Sequence, residues 1–172
     1  MNNDVPVLGF AAFSGTGKTT LLTILIELLT DKGIRVAVIK QSHHDFEIDV
    51  PGKDSYELRK AGASQTLITS PHRWALIQEN KKISAKPLSK AIALLDCNNL
   101  DIILVEGYKL EKFPKIELHR ATLKKPLLYP DDTTIIALAS DEKDATHSIP
   151  VLDLNEPVTI FNFIEQQFLQ PR

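Results

Sequence analysis

Residues 12–19 of this 172-residue chain read Ala12-Phe13-Ser14-Gly15-Thr16-Gly17-Lys18-Thr19, between the apolar run VPVLGFA and a leucine-rich stretch of helical spacing. They fit the phosphate-loop pattern G-x-x-x-x-G-K-[ST], with Ala12 in place of the first glycine. Such a loop works only where a buried strand runs directly into a helix, so the pattern constrains the fold as well as the chemistry. Gly15 and Gly17 let the backbone curl until successive N–H groups point inward at phosphate oxygens, and the following helix adds the positive end of its dipole. Ser14, Gly15, Thr16, Gly17, Lys18, Thr19 and Thr20 are therefore the expected nucleotide-binding residues. Lys18 reaches the β- and γ-phosphates, the Thr19 hydroxyl is suited to a magnesium ion, and Thr20 supports the α-phosphate. The plainer reading is a glycine turn that merely begins a helix.

Along the chain, short apolar runs alternate with helical stretches. Residues 5–11, 34–40 and 101–105 read as buried strands. Residues 18–32 read as a helix carrying Leu21, Leu22, Leu25, Leu28 and Leu29 on one face, with Gly33 placed to cap it. Residues 53–62 form a second, short helix, and QTLITS and RWALIQ flank Ser70, Pro71 and His72 as a hairpin. A helix over 87–97, the runs KIELHR and TIIALAS, and a helix over 156–169 complete the chain, with residues 121–134 as a long solvated connection. The pattern predicts an α/β fold of the P-loop NTPase type, a mostly parallel sheet flanked by helices with an inserted β-hairpin. Residues 1–172 are expected to form a single nucleotide-binding domain.

Composition narrows the function. Lys and Arg total 20 against 22 Asp and Glu, a formal charge of -2 with a pI near 6.2, so no global positive field attracts nucleic acid or an anionic membrane. Cys97 is the lone cysteine and belongs to no metal-ligand spacing, which excludes a disulfide framework and a structural zinc site. No apolar run has the length of a membrane span, and Asp4 stands where a secretory signal carries positive charge. The expected location is the cytoplasm.

A magnesium-nucleotide site also needs a carboxylate at the end of a neighbouring strand, and LDIILVEG supplies Glu106. Lys18 and Glu106 are the candidate catalytic pair, Glu106 a candidate metal residue with Thr19, and Gly107 a point where backbone can approach the γ-phosphate. Tyr108 stands where hydrolysing GTPases commonly carry a water-orienting glutamine, and no arginine is adjacent to the loop or to Glu106 in the sequence, so hydrolysis is expected to be slow. Residues 41–55 follow the second strand. Within them Asp45 and Asp54 are the preferred additional carboxylates for magnesium, whereas consecutive His43 and His44 point oppositely in extended chain and make a poor metal pair. Asp141, after TIIALAS, is the candidate acceptor for guanine N1 and N2; helix capping by Ser140 or Asp141 is the alternative.

FAAFSGTGKTTLL, VIKQSHHDFEIDVPGKDSYELRKAGASQTL, RWALI and LDIILVEGYK together resemble the molybdopterin-guanine dinucleotide biosynthesis adaptor protein family, MobB. The likeness spans most of residues 7–120, with ALASD beyond it, and the PGKDSYELRKAGA stretch is far more specific than the phosphate loop. It implies a homodimeric GTP-binding protein of weak GTPase activity that assists the guanylyltransferase attaching GMP to molybdopterin. The dimer expectation also draws on the apolar hairpin edge, where Trp74 and Leu76 are candidate contacts, with burial in the core as the alternative. A P-loop small-molecule kinase is the rival reading, weakened by the lack of clustered arginines, and a pure interaction module with an inactive loop is the third.

Overall fold

The structure, a computed structural model, describes residues 5–42, 45–80, 86–142 and 147–169. The chain divides into two compact units: residues 1–41 with 87–172, and residues 42–86.

The first unit is built on a six-stranded sheet. Its strands in chain order are β1 (Val7–Ala12), β2 (Val36–Lys40), β5 (Ile102–Glu106), β6 (Lys115–His119), β7 (Ile135–Ser140) and β8 (Val151–Asp153), and their spatial order is β2-β5-β1-β6-β7-β8. Every pairing is parallel, so all six carboxyl ends share one edge. Both faces are covered, which is why β5 reads as unbroken Ile-Ile-Leu-Val. Alternation then sorts the side chains. Leu8, Phe10, Ile102, Leu104, Ile116 and Leu118 join Leu21, Leu25 and Leu29 of α1 (Lys18–Asp31) and Ile160 and Ile164 of α4 (Pro157–Phe168). Ile39, Ile103 and Val105 face the other way, toward Leu88 of α3 (Leu88–Ile92).

α1 starts on Gly17 and ends on the expected Gly33, whose N–H bonds the Thr30 carbonyl at 2.9 Å while Ile34 N–H returns to Leu29 at 3.0 Å. The helix expected over 87–97 is only α3, followed by a 3-10 turn at Cys97–Asn99. β8, three residues long, was too short for periodicity to announce. The 121–134 connection is more than solvated chain. Buried Glu117 accepts N–H bonds from Leu128 and Tyr129, both at 2.8 Å, and fastens it to β6. Burial pushes the Glu117 carboxyl up from its ordinary range, against the pull of those two amides.

The second unit carries α2 (Asp54–Lys60) and the predicted hairpin, β3 (Gln65–Thr69) antiparallel to β4 (Trp74–Gln78). Buried Arg59 organises it, donating to Asp49 Oδ1 at 2.8 Å, to Glu79 Oε1 at 2.8 Å and to Glu47. Trp74 and Leu76, for which the core was the alternative, are both exposed.

Candidate functional site

The parallel sheet brings together at its carboxyl edge residues far apart in sequence, the place where open α/β sheets take ligands. β1 leads there into the glycine loop. Gly15 and Gly17 hold φ of +85° and +89°, left-handed backbone that a side chain would strain. Thr16 is buried, its hydroxyl donating to the Phe13 carbonyl at 2.9 Å, so it has only its backbone N–H to offer a ligand. The first helical bond of α1 runs from Leu21 N–H to the Gly17 carbonyl at 3.0 Å, which leaves the preceding amides outside the helical ladder. Ser14, Thr19 and Thr20 lie exposed around this turn. Loop and helix start thus form a cradle of unspent donors that fits an anionic phosphate chain.

Glu106 closes β5, whose register sets it beside Phe10 of β1 and Lys40 of β2. One carboxylate oxygen lies 3.4 Å from Lys18 Nζ and the other 3.5 Å from Lys40 Nζ. The expected pair of Lys18 and Glu106 is therefore in contact, with Lys40 as an unforeseen third member. Gly107 has φ +100°, and a Cβ there would stand 2.6 Å from the Gln41 Cβ, so only glycine fits this approach. Gln41 clasps the turn from both sides: its N–H donates to the Glu106 carbonyl at 2.8 Å, and its Oε1 accepts the Tyr108 N–H at 2.8 Å. Tyr108 itself is left-handed, with φ 53°.

Beyond β6, Arg120 turns its guanidinium to the loop and donates from Nε to the Thr16 carbonyl at 2.9 Å. No arginine adjoins the loop in sequence, but this one adjoins it in space. Arg120 also lies 3.5 Å from Asp141 Oδ2 and donates to Asn155 Oδ1 at 3.2 Å. Asp141 stands just past β7, as expected, and its Oδ1 accepts the Ala121 N–H at 2.9 Å. The carboxylate thus also caps the 3-10 turn Ala121–Leu123.

Asp45 and Asp54 fall in the second unit. Asp45 is exposed, and Asp54 opens α2, where a carboxylate complements the helix dipole. His43 and His44 lie outside the described residues. Among the described residues no group of three His, Cys, Asp or Glu side chains is arranged to hold a metal by itself. The donor set that is present, a threonine hydroxyl at the start of α1 and one carboxylate at a strand end, suits an ion carried in with phosphates, since magnesium is held by few protein ligands plus phosphate and water. Lys40, Gln41, Arg120 and Asn155 escaped the motif reading. Their only linear signal is position at or just beyond the end of an apolar run.

A parallel sheet whose strand runs through a glycine turn into a helix, with a lysine opening that helix and a carboxylate closing the next strand, defines a P-loop NTPase fold. The chain belongs within it to the MobB family, whose model, molybdopterin guanine dinucleotide synthesis protein B, matches residues 7–141. It is 45% identical over 161 residues to the molybdopterin-guanine dinucleotide biosynthesis adapter protein of Escherichia coli K12, covering 93% of this chain and 91% of that one. The protein of the same name from Haemophilus influenzae is 43% identical over 170 residues, covering 96% and 90%. A crystal structure of molybdopterin-guanine biosynthesis protein B superposes with a TM-score of 0.75 at 24% identity, covering 95% of this chain and 99% of that one.

Proposed function

We propose that the chain binds magnesium-GTP on the loop from Ser14 to Thr20 and serves as an adapter in molybdopterin guanine dinucleotide biosynthesis, assisting the guanylyltransferase that attaches GMP to molybdopterin. The observation that carries nucleotide binding is the contact of Lys18 with Glu106 beside two left-handed glycines. An ammonium held by a carboxylate at the mouth of an amide cradle is poised for exchange. With nucleotide present, Lys18 would hold the β- and γ-phosphates, and Glu106 and the Thr19 hydroxyl would hold the hydrated magnesium ion. Magnesium, when bound, would supply charge neutralisation to the phosphate chain. The names of the relatives support the pathway, and the homodimer and the cytoplasmic location go with it; no described helix is long and apolar enough to cross a membrane.

Hydrolysis on this site is slow. Tyr108 has no amide side chain to align the water, and the Gln41 carbonyl is already engaged by a backbone N–H. Arg120 donates to protein acceptors instead of covering a transferred phosphate, which disfavours a kinase. Titration with labelled GTP in magnesium tests the reading. Lys18→Ala should lower affinity on the order of a hundredfold with native far-UV dichroism. Equal affinity in mutant and wild type would remove the loop from the function, and guanylation of molybdopterin reconstituted with and without the chain tests the adapter role.

A further inference from the structure

Residues 120–125 stand behind the phosphate loop and meet it in reverse order. Arg120 Nε donates to the Thr16 carbonyl at 2.9 Å, a Leu123 methyl lies 3.9 Å from where a Cβ on Gly15 would stand, and Lys125 Nζ lies 5.9 Å from the centre of the Phe13 ring. The guanidinium is itself fixed. Its Nη1 donates to Asn155 Oδ1 at 3.2 Å, past β8, and lies 3.5 Å from Asp141 Oδ2, past β7. Asp141 is held in turn by the Ala121 N–H at 2.9 Å. Two strand ends thus aim one arginine at one loop carbonyl.

In a planar trans peptide the C=O and the following N–H point in opposite directions. An arginine that holds the Thr16 carbonyl therefore turns the Gly17 N–H away from itself. Arg120 also covers the side of Gly17 from which a side chain would project, its Nη2 3.7 Å from the position of a Cβ there. Glycine at 17 has no side chain to resist a flip of this peptide, so its orientation needs a hold from outside.

We infer that Arg120 is a positioning residue that presets the Thr16–Gly17 peptide for phosphate, holding the carbonyl from behind so that the Gly17 N–H faces the anion before the anion arrives. The inference rests on the phosphate-binding reading above and concerns the shape of the loop, whichever base the ligand carries. A carbonyl that accepts from a guanidinium is polarised, and the N–H of the same peptide becomes a stronger donor. Positive charge thereby acts on the phosphate through a peptide bond while the arginine stays out of the site. A loop fixed in advance also loses no binding energy to ordering itself.

The test measures equilibrium binding of tripolyphosphate and GTP, each with magnesium, to the full chain and to Arg120→Met, together with the Gly17 amide resonance by NMR. Arg120→Met should weaken both ligands by the same factor, about tenfold, because the contact serves the phosphates alone. Without ligand its Gly17 resonance should be displaced or broadened, and saturating tripolyphosphate should bring it to the wild-type bound position, a signature that general support of the fold would not produce. Unchanged affinity in the folded variant overturns the inference, and so does a loss for GTP with none for tripolyphosphate. Should Arg120→Met not fold, the wild type decides alone: with labelled GTP in excess, the association rate should rise in proportion to GTP concentration, as for a preformed loop, and a plateau overturns the inference. A wild type that binds neither ligand ends the nucleotide reading and this inference with it, whereas one that binds both as tightly as Arg120→Met does leaves that reading standing and removes only this inference.

Discussion

In the first unit, Ile102, Ile103, Leu104 and Val105 are consecutive and wholly buried, and the charged side chains of the site stand only where the strands end. In the second unit the order is reversed: Leu67, Trp74 and Leu76 of the hairpin are exposed, and the buried side chain at the centre of its contacts is Arg59 with its three carboxylates. A two-stranded hairpin cannot enclose an apolar core, so directional charge contacts take over the work that burial does in a six-stranded sheet. The difference matches the tasks proposed. Phosphate binding needs rigid strand ends, and an exposed apolar hairpin is a surface suited to a partner or a second copy.

The largest effect should come from Leu104→Ala, at about 3 kcal/mol of global stability by chemical denaturation, since the side chain is fully enclosed in the first unit. A loss under about 1 kcal/mol would break the comparison by showing that burial is not what holds the sheet. Arg59→Met keeps the stem and removes the charge, leaving Asp49 buried without its partner. Amide exchange in α2 and the hairpin should rise on the order of tenfold while β1 and β5 stay protected. Equal acceleration in both units would merge what the comparison separates.

Smaller is the exposed pair of Arg35 and Asp101, which joins the starts of β2 and β5 through bonds of 2.7, 2.8 and 2.9 Å. The Arg35 side chain and backbone N–H hold the Asp101 carboxyl down at about 2. A depressed folded value stabilises above the ordinary carboxyl range and loses that stability as pH falls toward about 2. The wild type should therefore exceed Asp101→Asn in stability at pH 6 by at most about 1 kcal/mol, because water screens the pair. The gap should close on acidification, and a gap constant from pH 6 to pH 2 would assign the effect to packing. Smallest on stability is Trp74→Ser, which should leave the thermal midpoint within about 2 °C, as expected for an exposed residue. Its effect belongs in sedimentation, where the variant should be lighter than the proposed wild-type dimer. A wild type that is monomeric at micromolar concentration removes the dimer from the proposal.

Most elements of the first unit were legible because their signals are local. A buried parallel strand needs a run such as Ile102 to Val105, α1 needs its leucine spacing, and the glycine loop is a backbone requirement written in eight adjacent residues. Glu106 could be found because the end of an apolar run marks the end of a strand. The hairpin was legible from its turn residues, but the exposure of Trp74 was not, since an alternating apolar strand reads alike whether or not another layer covers it.

What the sequence determined by itself was the α/β class, the phosphate-loop motif with Lys18 and Thr19, and a carboxylate, Glu106, at the end of another buried strand. Only the tertiary structure decided that Lys40 shares Glu106, that Gln41 clasps Gly107 and Tyr108, and that Arg120 reaches Thr16 from 104 positions away. The physical reason is the strand order β2-β5-β1-β6-β7-β8. Hydrophobic periodicity states that a segment is a strand and which of its faces is buried, while the neighbours it acquires depend on crossovers that no local pattern encodes. Contacts along a shared sheet edge are therefore set by topology, and the residues that make them carry no spacing of their own.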